Sequence, residues 1–214
     1  EAIVVMGAMT LGFPVPLLPL HILWINFVTD GLPSMALAFE PIETGVMDVA
    51  PRQRSTPLLS GSLRRLVAVV AVCTSIVFIV ALVWLESMGD PIFVRTWIFV
   101  ALGLVSTLVA FVFRVFRSSL FTSRPWRNMP LIGMAAIGIS SIVLPVAFEP
   151  LRLLLGFSQL SSSDWLYLVS FVGAVTIIID LTKILAFRRK RSLAVLSSPS
   201  IWTSQRSKTS KMPS

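Results

Sequence analysis

Apolar and polar positions fall along this chain in long blocks rather than in a fine alternation. Residues 1–12 lie in an apolar run, too short to span a bilayer alone, that ends at the turn Gly12-Phe13-Pro14-Val15-Pro16. Further apolar runs cover about 17–38, 65–88, 96–116, 130–148 and 165–187. A helix crosses the hydrocarbon core with about 20 apolar residues, and a run with no polar face is a buried or membrane helix. The pattern therefore predicts an all-α, polytopic transmembrane helical bundle of about five full membrane helices plus the end of a sixth. Polar gaps separate the runs. They are the Pro-rich stretch 39–64, the acidic turn Gly89-Asp90-Pro91, the stretch GFSQLSSSD, and a Ser-rich basic tail from Arg188 that is expected to be disordered.

Composition agrees with this division. Of the 214 residues 55% are apolar and only 13% charged, and the mean hydropathy is +0.86; a soluble domain carries about 25% charged residues. The first residue is Glu1, inside an apolar run and not preceded by Met, and this reads as a cut edge. Cys73 stands alone in an apolar run, so the chain holds no disulfide framework of its own. The net charge of +8 lies in the gaps between apolar runs, which argues against nucleic acid as a partner and for the lipid bilayer. Sixteen of the eighteen Lys and Arg residues fall in alternate gaps: 52–65, 114–127, and the last-helix exit with its tail. Only Arg95 and Arg152 lie in the other set, so the basic loops and the tail are expected to be cytoplasmic.

One apolar run carries chemistry. In WINFVTDGLPSMALAFEP, residues 24–41, Asn26, Thr29 and Asp30 are spaced i, i+3, i+4 and share one face of a regular helix. A carboxylate at mid-bilayer costs several kcal/mol unless it is paired, protonated or bound to a cation. Gly31 and Pro33 follow directly. Pro33 removes a backbone donor and crowds the Thr29 carbonyl, and Gly31 lets the chain unwind. Freed carbonyls beside three oxygen-bearing side chains would suit a hard cation. The alternative is that Asn26 and Asp30 only bridge neighbouring helices by hydrogen bonds.

LLPLHILWINFVTDGLPSMALAFEP closely resembles the sixth membrane helix of P-type cation-transporting ATPases of the calcium-pump type, with its pattern LWxNLVTDGLPAxALGxEP. The resemblance implies that Asn26, Thr29 and Asp30 are ion ligands, and it leans to calcium as the transported ion. The family's fifth helix ends in a Glu placed 25 residues before that Asn, where Glu1 stands, and this implies a fourth ligand. VMDVAPR resembles the family's loop text IMDRPPR, departing at Val49 and Ala50. RTWIFVALGLVSTLVAF resembles the eighth helix, and Asp180–Lys183 the tenth-helix ending ELVK. By the resemblance, 1–12 is the end of the fifth helix, 17–38 the sixth, 39–64 a cytoplasmic loop, 65–187 the seventh to tenth helices, and 188–214 the tail. Ser106 stands where two-ion calcium pumps carry a Glu, which implies one calcium per cycle.

The family's phosphorylated DKTGT and its TGE loop do not occur in these 214 residues. ATP and magnesium would therefore bind only in other domains of such a pump, and the partners implied are its N-terminal helices and cytoplasmic domains. The enzymatic reading belongs to the parent, a P-type calcium-transporting ATPase, rather than to this chain alone. The competing readings are a stand-alone membrane remnant acting as a regulatory or assembly partner, and an unrelated secondary carrier. Manganese or proton coupling would use the same oxygen ligands. If the source is bacterial, the plasma membrane is the expected location. Elsewhere, His21 reads as an interfacial polar residue where relatives often carry Gln, and Trp24, Trp84, Trp97 and Trp165 as packing or interfacial anchors. Asp180 and Lys183 read as an ion pair near the cytoplasmic face, and Glu86, Asp90, Glu149 and Asp164 as solvated outer groups.

Overall fold

The structure is a computed structural model that describes residues 1–39, 61–114 and 128–196, with the backbone alone at Ser62, Arg114 and 186–196. Most of the Pro-rich loop with VMDVAPR, the basic loop 115–127 and the tail from 197 lie outside the described residues. The elements are α1 (Ala2–Thr10), α2 (Pro19–Trp24), a π-helical segment (Ile25–Gly31), α3 (Leu32–Leu37), α4 (Gly61–Glu86), α5 (Pro91–Arg114), α6 (Met129–Ala147), α7 (Glu149–Leu155) and α8 (Ser162–Leu196). All of these elements are helical, and α4, α5, α6 and α8 each contain a stretch long and apolar enough to cross a membrane.

Local chemistry sets the ends of these helices. The Asp90 carboxylate accepts the backbone N–H groups of Ile92 and Phe93 at 2.9 and 3.2 Å, and Pro91 occupies the first turn, so α5 starts five residues before the expected 96. Asn128 caps α6 by accepting the Leu131 N–H at 2.9 Å. At the start of α8, Asp164 accepts from the backbone N–H and the hydroxyl of Ser161, at 2.8 and 2.6 Å. That helix runs on to Leu196, past Arg188, where the sequence reading begins its disordered tail. No Gly or Pro follows Gly173 until Pro199, so nothing in the backbone stops the helix earlier. The short helix α7 was not foreseen. Pro150 in its first turn and Gly156, left-handed at φ 67°, delimit it.

The core forms around α5. Of its most apolar window 61% is buried, against 22% for α4, and Trp97, Ile98, Phe99, Val100 and Ala101 are all buried in succession. A helix covered on every side is the centre of a bundle. It packs against α8, α6, the π segment, α4 and α3. In contrast, α4 turns Val69, Val72, Ile76, Val80, Val83 and Trp84 outward, a surface suited to lipid.

Helices approach closely where side chains are small. A Cβ built on Gly103 of α5 would sit 2.6 Å from Cδ1 and 2.8 Å from Cγ1 of Ile142 on α6. Gly103→Ala is therefore expected to destabilise the chain by about 1–3 kcal/mol. Pairing it with Ile142→Val, which removes the nearer carbon, should restore part of the loss in thermal unfolding measured in detergent.

Just past the middle of α8, Lys183 and Asp180 form the expected ion pair, Nζ to Oδ1 3.0 Å, and both are buried. Lys183 also donates to the Val112 carbonyl of α5 at 2.6 Å. That carbonyl lies in the last turn of α5, where helix carbonyls lack intrahelical partners and the helix dipole is negative. The pair thus fastens α8 to α5.

Candidate ion site

The polar run is built as one helix in three parts. Its backbone stays helical through Gly31, at φ −65° and ψ −55°, and through Leu32, so the chain does not unwind there as the sequence reading expects. It widens instead. Residues Ile25–Gly31 form a π-helix, in which each N–H reaches back five residues rather than four. Pro33, which has no N–H to return to the preceding turn, begins the next α-helical piece in its first turn, where a proline is tolerated. A π insertion absorbs the missing bond without breaking the helix.

This widening separates the three polar residues. Thr29 is buried and donates its hydroxyl to the Ile25 carbonyl at 2.7 Å. Asn26 and Asp30 lie on the exposed side. The regular-helix expectation of one shared face is thus corrected, because five-residue bonding changes the angular spacing. Asn26 donates Nδ2 to the Ile22 carbonyl at 2.9 Å, which leaves its side-chain oxygen as the outward acceptor.

Glu1, at the start of α1, stands beside this surface. Its carboxylate interacts with the Asn26 side chain and with the like charge of Asp30. The Glu1 Oε1 atom is buried and accepts no hydrogen bond. Ser106 of α5 interacts with the Asp30 carboxylate, so the position where the resemblance places a family Glu does face the cluster. Among the described residues neither carboxylate pairs with a Lys or Arg, and no group of three His, Cys, Asp or Glu side chains is assembled. The structure therefore brings together two carboxylates, an amide and a hydroxyl from three elements, with Thr29 set deeper.

The helix that carries this cluster is clamped along its length. Pro145 inside α6 has no N–H, which orphans the Ser141 carbonyl one turn back. The Trp24 indole N–H fills that vacancy at 3.1 Å. Asn128, fully buried, donates its amide to the Ala36 carbonyl at 3.2 Å, joining the end of α3 to the cap of α6. Between these two clamps, the space over Gly138 of α6 is bounded by the Thr107 hydroxyl at 3.4 Å and the Val28 carbonyl at 3.9 Å. Sequence reasoning missed Ser141, Pro145 and Asn128. A proline inside an apolar run, and Asn before Met-Pro at a helix start, were the signals available. Trp24→Phe leaves the Ser141 carbonyl without its donor, and a loss of about 1–3 kcal/mol is expected in detergent unfolding.

Fold and site together define an integral membrane protein, a helical bundle centred on α5 with one polar, irregular helix packed against it. Residues 14–185 match the family model described as "Cation transporting ATPase, C-terminus", and the chain belongs to that family. It is 29% identical over 183 residues to a "Calcium-transporting ATPase" of Bacillus subtilis (strain 168), an alignment covering 84% of this chain and 20% of that protein. It is 31% identical over 183 residues to "Calcium-transporting ATPase 1" of Bacillus cereus (strain ATCC 10987 / NRS 248), covering 77% of this chain and 20% of that protein. A shorter stretch of 61 residues is 46% identical to "Endoplasmic reticulum calcium ATPase srcA" of Aspergillus fumigatus, covering 28% of this chain and 6% of that protein. The chain thus spans about a fifth of the length of the two bacterial relatives.

Proposed function

We propose that this chain is the C-terminal membrane portion of an ATP-driven calcium pump and that Glu1, Asn26, Thr29 and Asp30 contribute ligands to its transported ion. The observation that carries this reading is the approach of Glu1 to Asn26 and Asp30, with a buried carboxylate oxygen left without a donor. Two like charges facing each other in an apolar surround are costly alone. A divalent cation between them reverses the sign of that interaction, and hard cations take carboxylate, amide and hydroxyl oxygens together. Thr29 would offer its oxygen lone pairs, its proton being engaged by Ile25. Ser106 adds a neutral oxygen where a second carboxylate would serve a second ion, which supports one calcium per cycle.

In this account ATP and magnesium bind in cytoplasmic domains outside the chain, and the basic loops and tail face the cytoplasm. The stretch 1–12 acts as the end of the fifth helix, 17–38 as the sixth, 39–64 as the loop toward the phosphorylated domain, and 65–187 as the scaffold of the seventh to tenth helices. Beyond α8 the basic end of 188–214 forms the tail. In a bacterial cell the pump would sit in the plasma membrane. Its test is calcium uptake into inverted vesicles containing the complete pump. Uptake that requires ATP is expected, with a calcium-dependent acyl-phosphate. Uptake on an ion gradient without ATP would indicate a carrier, neither signal a stand-alone membrane partner, and stronger stimulation by manganese a different ion.

A further inference from the structure

The clamps on the polar helix differ in one respect: Trp24 and Asn128 cannot change charge, whereas the third clamp is a histidine. His21 is buried in α2, two residues after its start, with its ring stacked on Phe157 at 4.6 Å and tilted against Phe99 at 5.4 Å. Its Nε2 lies 3.0 Å from the Leu155 carbonyl, at the end of α7 and 134 residues away in sequence. Its Nδ1 lies 3.4 Å from the backbone N–H of Leu18, at the mouth of the same helix. A carbonyl only accepts and an amide N–H only donates. Both bonds therefore exist together in a single form, the neutral ring with its proton on Nε2.

We infer that His21 is a positioning residue that clips the start of the polar helix to the turn Leu155–Phe157 through its Nε2–H, and that the neutral ring also accepts the Leu18 N–H at Nδ1. A proton added at Nδ1 would point at the Leu18 N–H, donor against donor, and that bond is lost. The charged groups on the surrounding elements do not rescue it. Arg95 of α5 acts on the ring as a like charge. On α7, Glu149 is exposed and Arg152 half-buried, whereas α6 and residues 156–161 carry no ionisable side chain. Asp164 of α8 is engaged by Ser161. Protonation thus frees the Leu18 N–H at the mouth of the helix, while the Nε2–H bond to Leu155, with Trp24 and Asn128, keeps the helix that bears Asn26 and Asp30 in place.

The functional consequence rests on the pump reading, but the clip can be examined without it. His21 is the only histidine of the chain. In the 214-residue chain labelled with 15N-histidine and reconstituted in lipid bilayers, one rigid ring is expected, protonated at Nε2 and bare at Nδ1. On acidification the Leu18 amide should lose hydrogen-exchange protection together with the ring's protonation. A ring protonated at Nδ1 when neutral, or protonation that leaves Leu18 protected, overturns the clip.

In the complete pump at neutral pH, losing the Nε2–H bond to Leu155 should shift the calcium concentration for half-maximal ATPase by about fivefold, the scale of one hydrogen bond. His21→Gln can still donate to Leu155, so it should keep the wild-type value. His21→Phe fills the aromatic slot without donating, so it should show that shift. Gln and Phe variants that behave alike overturn the role assigned to the bond. A complete pump without calcium-stimulated ATPase would overturn that role in pumping through the pump reading itself, with the clip still decided by the spectra.

Discussion

Asp30→Asn in the complete pump is expected to abolish calcium-stimulated ATP hydrolysis without unfolding the protein. The substitution preserves shape and removes one negative charge from the surface proposed to face the ion. Calcium sites tune affinity across several decades through the number of charged ligands, so losing one of two carboxylates should weaken binding on the order of a hundredfold or more. The same change is mild for folding. Asp30 is exposed, it lies beside the like charge of Glu1, and the Ser106 hydroxyl can bond an amide oxygen as well as a carboxylate. ATPase titrated with calcium, alongside thermal unfolding in detergent, separates the two effects. Undiminished stimulation in the variant would remove Asp30 from the site.

Lys183→Met should produce the largest loss of stability. The substitution keeps an unbranched apolar stem but takes the ammonium away from the buried Asp180 carboxylate and from the Val112 carbonyl. Removing one member of a buried pair typically costs about 3–5 kcal/mol, whereas replacing both by apolar groups is often neutral. The double change Asp180→Leu with Lys183→Met should therefore recover most of what the single change loses. Denaturant unfolding of both variants in mixed micelles measures the difference. Equal losses in the two would show that the pair does not join α8 to α5.

Much of this architecture is legible in the residue order. Blocks of apolar residues mark the spans because lipid tolerates nothing else at that length, and Asp180 with Lys183 at i, i+3 foretells their pairing. The polar cluster also stands out, because an acid inside an apolar run has few uses. Its geometry is less legible. Gly31 and Pro33 look like a break, yet the helix closes over the missing donor by widening, an outcome decided by how the π segment packs against α5 and α6. The clamps are hidden for a different reason. Trp24 with Ser141, Asn128 with Ala36 and His21 with Leu155 join residues 92–134 positions apart, and no local pattern reports which carbonyl a proline frees or which side chain reaches it. His21 reads as an interfacial residue because its sequence neighbours are apolar, whereas its partners arrive from α5 and the end of α7.

The most direct measurement is equilibrium binding of radioactive calcium to the complete pump in the absence of ATP. A single ion per chain at saturation, lost in Asp30→Asn and weakened in Asn26→Ala, is the outcome that this account requires. Two ions per chain, or a single ion bound equally well by the Asp30→Asn variant, would contradict it.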